Sequence, residues 1–185
     1  LLEPIAAHCA VRGVEFACTP FYLEAVAALL PYVAFYKIAS YELLWDDLLA
    51  ACAATGKPVV LSTGMATLPE IVHAVSVLRG AGASSIRLLH TVSAYPTPPA
   101  EANLASIDII RRATGCPVGW SDHTVSPGVL HRAIHRWGAG FVEFHIDLDE
   151  TGAEYASGHC WLPGQISEVI KAVREGEAAD GSGLK

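Results

Sequence analysis

The sequence predicts an α/β fold of parallel strands, a (β/α)8 TIM barrel rather than an open sheet, and three observations predict it. Short apolar runs rich in β-branched or aromatic residues recur along the chain, each suited to a strand buried on both faces. Helix-patterned segments separate them in units of roughly 20 to 28 residues, with no hairpin signal between. Polar residues follow the end of every such run, whereas an open doubly wound sheet would gather them at one switch point.

Taken in order, residues 1–11 read as a helix leading into a first strand over 14–19. Five more strands follow over 34–40, 58–63, 86–91, 117–121 and 141–146. Thr67 and Glu70 form a capping box, in which each side chain can satisfy a backbone donor, and Gly80 stops that helix. Ser126 and Pro127 open another, since proline's missing N–H costs nothing at a first helical position, and Gly138 closes it. Gly56, Gly115 and Gly176 are further closing glycines. The tail 176–185 then reads as the start of a linker, leaving residues 1–175 as one partial barrel domain.

Composition narrows the function classes. Of 185 residues 52% are hydrophobic and 17% charged, which suits one well-buried core. The net charge of −7, with no Lys/Arg cluster beyond a dipeptide, argues against a nucleic-acid partner but not against a small anion held in a local pocket. Five scattered cysteines without CxxC spacing argue against a disulfide framework or structural zinc, and fit a reducing cytoplasm. No apolar run approaches the ~18 residues of a membrane span.

The strand ends carry the chemistry. Lys37 lies in an otherwise apolar strand, where an unpaired ammonium is costly, so it must face a carboxylate or a ligand; a Schiff-base lysine is the sharper alternative. Hydroxyls at Thr19, Ser40, Ser62 and Ser121 around the same mouth favour an anion, because a phosphate needs several donors about one cation. His123 and His145 end successive strands, within reach of one divalent ion, and Asp122 and Glu143 beside them could supply further oxygen ligands or orient the rings. His159, between Gly158 and Pro163, reads as a loop or lid residue. His73, His131 and His135 fall on helices, and Trp45, Trp137 and Trp161 read as packing residues.

In this order the segments CTPF, YKIAS, GKPVVLSTGMAT, LLHTVSAYPTPP, PVGWSDHT and EFHIDLD resemble the sialic acid synthase family, over about residues 14–174. GKPVVLSTGMAT, SAYPTPP and GWSDHT are the specific parts. The resemblance implies a barrel enzyme that joins phosphoenolpyruvate to N-acetylmannosamine or a related N-acetylated amino sugar and releases phosphate. It assigns phosphoenolpyruvate binding to Thr19, Lys37, Ser40, Ser62 and Ser121, with Ser93 and Tyr95 lining the pocket. His123 and His145 match the ligands of a divalent metal, Mn2+ with Mg2+ as the alternative. Lys37, Asp122, His123, His145 and Glu154 form the expected catalytic group, Glu154 standing in for an acidic residue of a Pro-Gly-Pro-Asp-like loop that the chain lacks.

On this resemblance the six strands match the family's third to eighth. Its first two strands and its C-terminal antifreeze-like domain, through which members commonly dimerise, are expected to be missing, so the segment alone is expected to be unstable and inactive. Two rivals remain: a Schiff-base barrel aldolase acting through Lys37, and a non-catalytic sugar-binding protein of a polysaccharide or spore-coat pathway.

Overall fold

The computed structural model describes residues 1–181. Its strands are β1 (Ala17–Cys18), β2 (Phe35–Ile38), β3 (Val59–Ser62), β4 (Ile86–His90), β5 (Val118–Asp122), β6 (Val142–Ile146) and β7 (Cys160–Trp161). They form one seven-stranded sheet in chain order, every neighbouring pair parallel. Helix α1 (Leu2–Val11) precedes β1. Parallel neighbours need crossovers, and helices supply them: α2 (Leu23–Leu29), α3 (Asp46–Ala54), α4 (Leu68–Gly80), α5 (Ser106–Thr114), α6 (Pro127–His131) and α7 (Ala153–Ala156), while α8 (Pro163–Asp180) follows β7. This curved wall of strands with helices behind it is the expected α/β barrel architecture in part. No ladder joins β1 to β7 among the described residues.

Burial explains why the central strands read as unbroken apolar runs. Every residue of β3 and β5 is buried, because side chains on one face pack under the helices and those on the other point into the barrel interior. Tyr36, Ile38, Leu61, Leu88 and Trp120 are essentially sealed from solvent, together with Leu48, Leu49 and Leu78 from α3 and α4. The Thr67 cap forms: its backbone N–H donates to the Glu70 carboxylate at 2.6 Å. After α6 the chain makes one π-helical turn over Arg132–Arg136 before Gly138, at φ 65°, reverses it.

Two expectations are corrected here. Six strands were expected and a seventh, β7, is present; two residues between a glycine turn and a proline are too short to show periodicity. The linker expected from Gly176 is instead helix, α8 continuing to Asp180, while 182–185 lie outside the described residues. Gly176 fits inside α8 because it faces His135: a Cβ there would lie 3.3 Å from the imidazole, so the small residue serves helix packing rather than termination.

Candidate active site

The C-terminal ends of β1 to β6 open into one polar cavity of about 370 Å³. Thr19, Lys37, Ser40, Ser62, Tyr95, Ser121, His123, Glu143 and His145 all line it. A larger groove of about 610 Å³ lies between β6 and α8, but Ile146, Ile166 and Ile170 dominate it and it holds none of the strand-end residues that could do chemistry beyond β6. The smaller cavity is therefore the candidate site.

Parallel register sets the positions. Lys37 pairs with Val60 and Ser121 with Glu143, so the functional side chains come from adjacent strands at similar depth. Lys37 donates to Ser62 Oγ at 2.8 Å and to the Ile38 carbonyl at 3.2 Å, and its Nζ lies 3.5 Å from Glu143 Oε2. Burial lowers the Lys37 pKa, and the Glu143 carboxylate works against that shift. The carboxylate-partner reading and the ligand-facing reading of Lys37 thus coincide, since its partner lines the same cavity.

Glu143 is held from the other side as well, by the Ser121 hydroxyl donating to Oε1 at 2.8 Å. Ser40 Oγ accepts the Gly64 backbone N–H at 3.0 Å. Nearby, Glu42 buries Oε2 without a hydrogen-bond partner, and burial raises its pKa. A buried, unpaired carboxylate oxygen beside a cationic cavity is costly unless a ligand or a proton satisfies it.

The two expected metal histidines are neighbours. Their ring centroids are 5.2 Å apart, and the Tyr95 ring lies tilted against His123 with its centroid at 4.1 Å. The His123 Nδ1 contacts the Val92 carbonyl at 2.8 Å, and the His145 Nδ1 contacts Glu154 Oε2 at 3.1 Å. Each contact fixes a ring and leaves its Nε2 as the remaining donor, the arrangement by which histidines are oriented for a cation. Burial lowers the His123 pKa, which keeps its imidazole neutral, as a ligand must be.

Three expected residues stand elsewhere. Asp122 does not line the cavity: it is fully buried and accepts five hydrogen bonds, from both Trp120 and Trp161 indoles, the Thr124 N–H and hydroxyl, and the Val125 N–H. A carboxylate so engaged is a scaffold group, a role the flanking histidine in the sequence concealed. Ser93 lies just behind the lining, where its Oγ is 2.5 Å from the point a Gly64 Cβ would occupy. Glu154 sits on α7, beyond the cavity wall, in contact with His145.

Conversely, the sequence singles out neither Glu42 nor Tyr41, marks Thr91 only as one of the polar residues at a strand end, and suggests a loop or lid for His159. Tyr41 and Thr91 line the cavity. His159 is buried with its ring 4.8 Å from that of His145. No periodicity marks such positions; the adjoining YKIAS and HTVS segments were the available signal.

A model of the NeuB family matches residues 2–185. N,N'-diacetyllegionaminic acid synthase of Campylobacter jejuni is 33% identical over 181 residues, 96% of this chain and 54% of that protein. The structure of spore coat polysaccharide biosynthesis protein SpsE of Bacillus subtilis superposes with a TM-score of 0.89 at 28% identity, over 96% of this chain and 50% of the other. That of an N-acetylneuraminic acid synthetase from Leptospira borgpetersenii, in complex with citrate, gives 0.88 at 27% identity, over 100% of this chain and 65% of the other. The chain spans about half the length of the curated relatives it matches.

Proposed function

The chain belongs to the NeuB family, and from that premise we propose that it forms the substrate-binding wall of a synthase condensing phosphoenolpyruvate with an N-acetylated amino sugar. The product would be a sialic-acid-type nonulosonate, with phosphate released. The observation that carries this reading is the convergence of Lys37, the hydroxyls of Thr19, Ser40, Ser62 and Ser121, and the His123–His145 pair on one cavity.

In this reading Lys37 and Ser62 take the anionic end of the enol phosphate, the ammonium exchanging Glu143 for a phosphate or carboxylate oxygen. The hydroxyls complete the cradle and fix the angle at which the enol carbon meets the sugar's aldehyde, so rate comes from positioning. Glu143, once released from Lys37, is a carboxylate in the cavity able to take up or return a proton at its Oε atoms. Tyr95, its ring tilted against His123, bounds the space on the histidine side.

The His123–His145 pair fits a divalent cation on its donor chemistry, two oriented imidazoles facing an oxygen-rich cavity. Mn2+, with Mg2+ as the alternative, would supply Lewis-acid polarisation of the aldehyde oxygen when bound.

The low Lys37 pKa and its burial also suit a Schiff-base nucleophile, which is the second reading. A phosphate-release assay on the full natural chain, with a panel of N-acetylated sugars and with or without Mn2+, separates the two. The condensation requires phosphate release that depends on both phosphoenolpyruvate and the sugar. Borohydride trapping of pyruvate on Lys37 without such release would establish the aldolase instead, and sugar binding with neither would mark a non-catalytic protein.

A further inference from the structure

Four potential ligands meet at the loop that follows β6. His145, Glu154, His159 and Cys160 each present a donor atom, and the four atoms all lie within 4.8 Å of one another. Glu154 Oε2 is the hub, 3.1 Å from His145 Nδ1, 3.8 Å from His159 Nε2 and 3.9 Å from Cys160 Sγ. Ligand bonds of ~2.0–2.3 Å place tetrahedral neighbours roughly 3.3–3.8 Å apart. The observed spacings bracket that range, so small side-chain movements would close a shell.

The surroundings are arranged for it. His159 is 5% exposed, and its Nδ1 is taken by Ser157 Oγ at 2.8 Å, which turns Nε2 toward the cluster, where it makes no hydrogen bond. Orienting one ring nitrogen through the other is how proteins aim histidine ligands. Cys160 is 4% exposed and held in β7, in register with His145 across the ladder. Gly158, at φ 90°, makes the turn that brings the end of α7 back so that Glu154 and His159 face each other. Glu154 is solvent-facing and His145 is partly exposed, which gives an ion a path of entry.

We propose that His145, Glu154, His159 and Cys160 form a closed, four-ligand site for a borderline transition metal of the Zn2+ class. The donor set of two imidazoles, one carboxylate and one thiolate suits Zn2+ or Co2+ over the harder Mn2+ or Mg2+. Four protein ligands leave no open position, so the ion is structural. It fastens the segment 154–160 to β6 and locks the His145 ring through Nδ1; the Nε2 of that ring keeps its proton, and would ligate a second ion in the cavity only as a bridging imidazolate, that proton passing to solvent. Cys160 binds as thiolate, its proton passing to solvent. The site shares His145 with the cation pair of the proposed function but needs neither His123 nor any substrate, so its occupancy can be read without phosphoenolpyruvate or sugar.

The test is Co2+ titration of the metal-free full natural chain, followed by visible and near-ultraviolet absorption, with Zn2+ competition for affinity. Expected are one tightly bound Co2+ with intense tetrahedral d–d bands and a thiolate-to-cobalt charge-transfer band. Cys160→Ser should abolish the charge-transfer band, His159→Gln should weaken affinity at least ~10-fold, and His123→Ala should leave band and affinity unchanged within about threefold. Absence of Co2+ binding, binding without a thiolate band, or loss of binding in His123→Ala with His159→Gln unaffected would overturn the site. Should His159→Gln fail to fold, Glu154→Gln replaces it under the same expectation. Phosphate release is measured separately, so loss of the site and loss of the condensation reading are distinguishable.

Discussion

The Lys37 ammonium and the Glu143 carboxylate stand 3.5 Å apart across the mouth of the cavity, and each is also held by a serine, Ser62 and Ser121. An incoming anion must compete with Glu143 for Lys37, the only lysine lining this cavity among the described residues. Lys37→Met should therefore weaken phosphoenolpyruvate binding by about 100-fold, the worth of one or two charge-assisted hydrogen bonds. Glu143→Gln should leave affinity equal or tighter, because it removes the competitor. Calorimetric titration of the full natural chain measures both; weaker binding in Glu143→Gln would show that Glu143 positions Lys37 rather than competing for it.

Gly64 lies against the hydroxyl cradle. A Cβ at this position would stand 2.5 Å from Ser93 Oγ, 2.9 Å from Ser40 Oγ and 3.0 Å from Thr91 Cγ2. Gly64→Ala must push Ser40 and Ser93 from their places, and displacements well under an ångström matter in a positioned site. The expected outcome is a roughly tenfold rise in KM for phosphoenolpyruvate with a near-normal melting temperature. An unchanged KM would show that Ser40 and Ser93 do not meet the substrate.

Asp122 ties the layers together. Its oxygens accept from Trp120 and Trp161, indoles of different strands, and one also holds Val125, which sits at φ 48°, a conformation costly for a β-branched residue. Asp122→Asn replaces one acceptor by a donor facing donors, at a cost of about 3 kcal/mol for groups left unsatisfied in the core. A lowered urea midpoint should report it. If stability is kept while activity disappears, Asp122 belongs to the chemistry after all.

How much of this was legible follows from how each feature is encoded. Strands such as Val59–Ser62 and Val118–Asp122 are buried on both faces, so burial writes itself into the sequence as apolar runs. Lys37 stood out for the same reason, a charge interrupting such a run. Asp122 is ambiguous in the sequence because a buried hub and a catalytic acid look alike beside a histidine, and its five donors come together only in the fold. His159 and Cys160 were unreadable, since their significance depends on β7 pairing with β6, a contact across a loop that no local pattern records.

Acid should destabilise the protein through its buried histidines. His90 contacts the Ala102 carbonyl at 3.0 Å under Trp120, and desolvation lowers its pKa from the ordinary 6.5 despite that acceptor. The unfolded chain binds the proton near 6.5, whereas the folded protein resists it until a lower pH, so between those values the unfolded state holds more protons. Stability is then full above about 6.5, declines as pH falls through that window, and levels once the folded-state value is passed. His123 and His159 shift in the same direction and steepen the decline. His90→Gln, whose amide can still donate to Ala102, should lower stability at neutral pH yet flatten the loss between about pH 7 and 5. Melting temperature against pH for both proteins measures it, and identical slopes would mean that His90 is protonated in the fold without penalty.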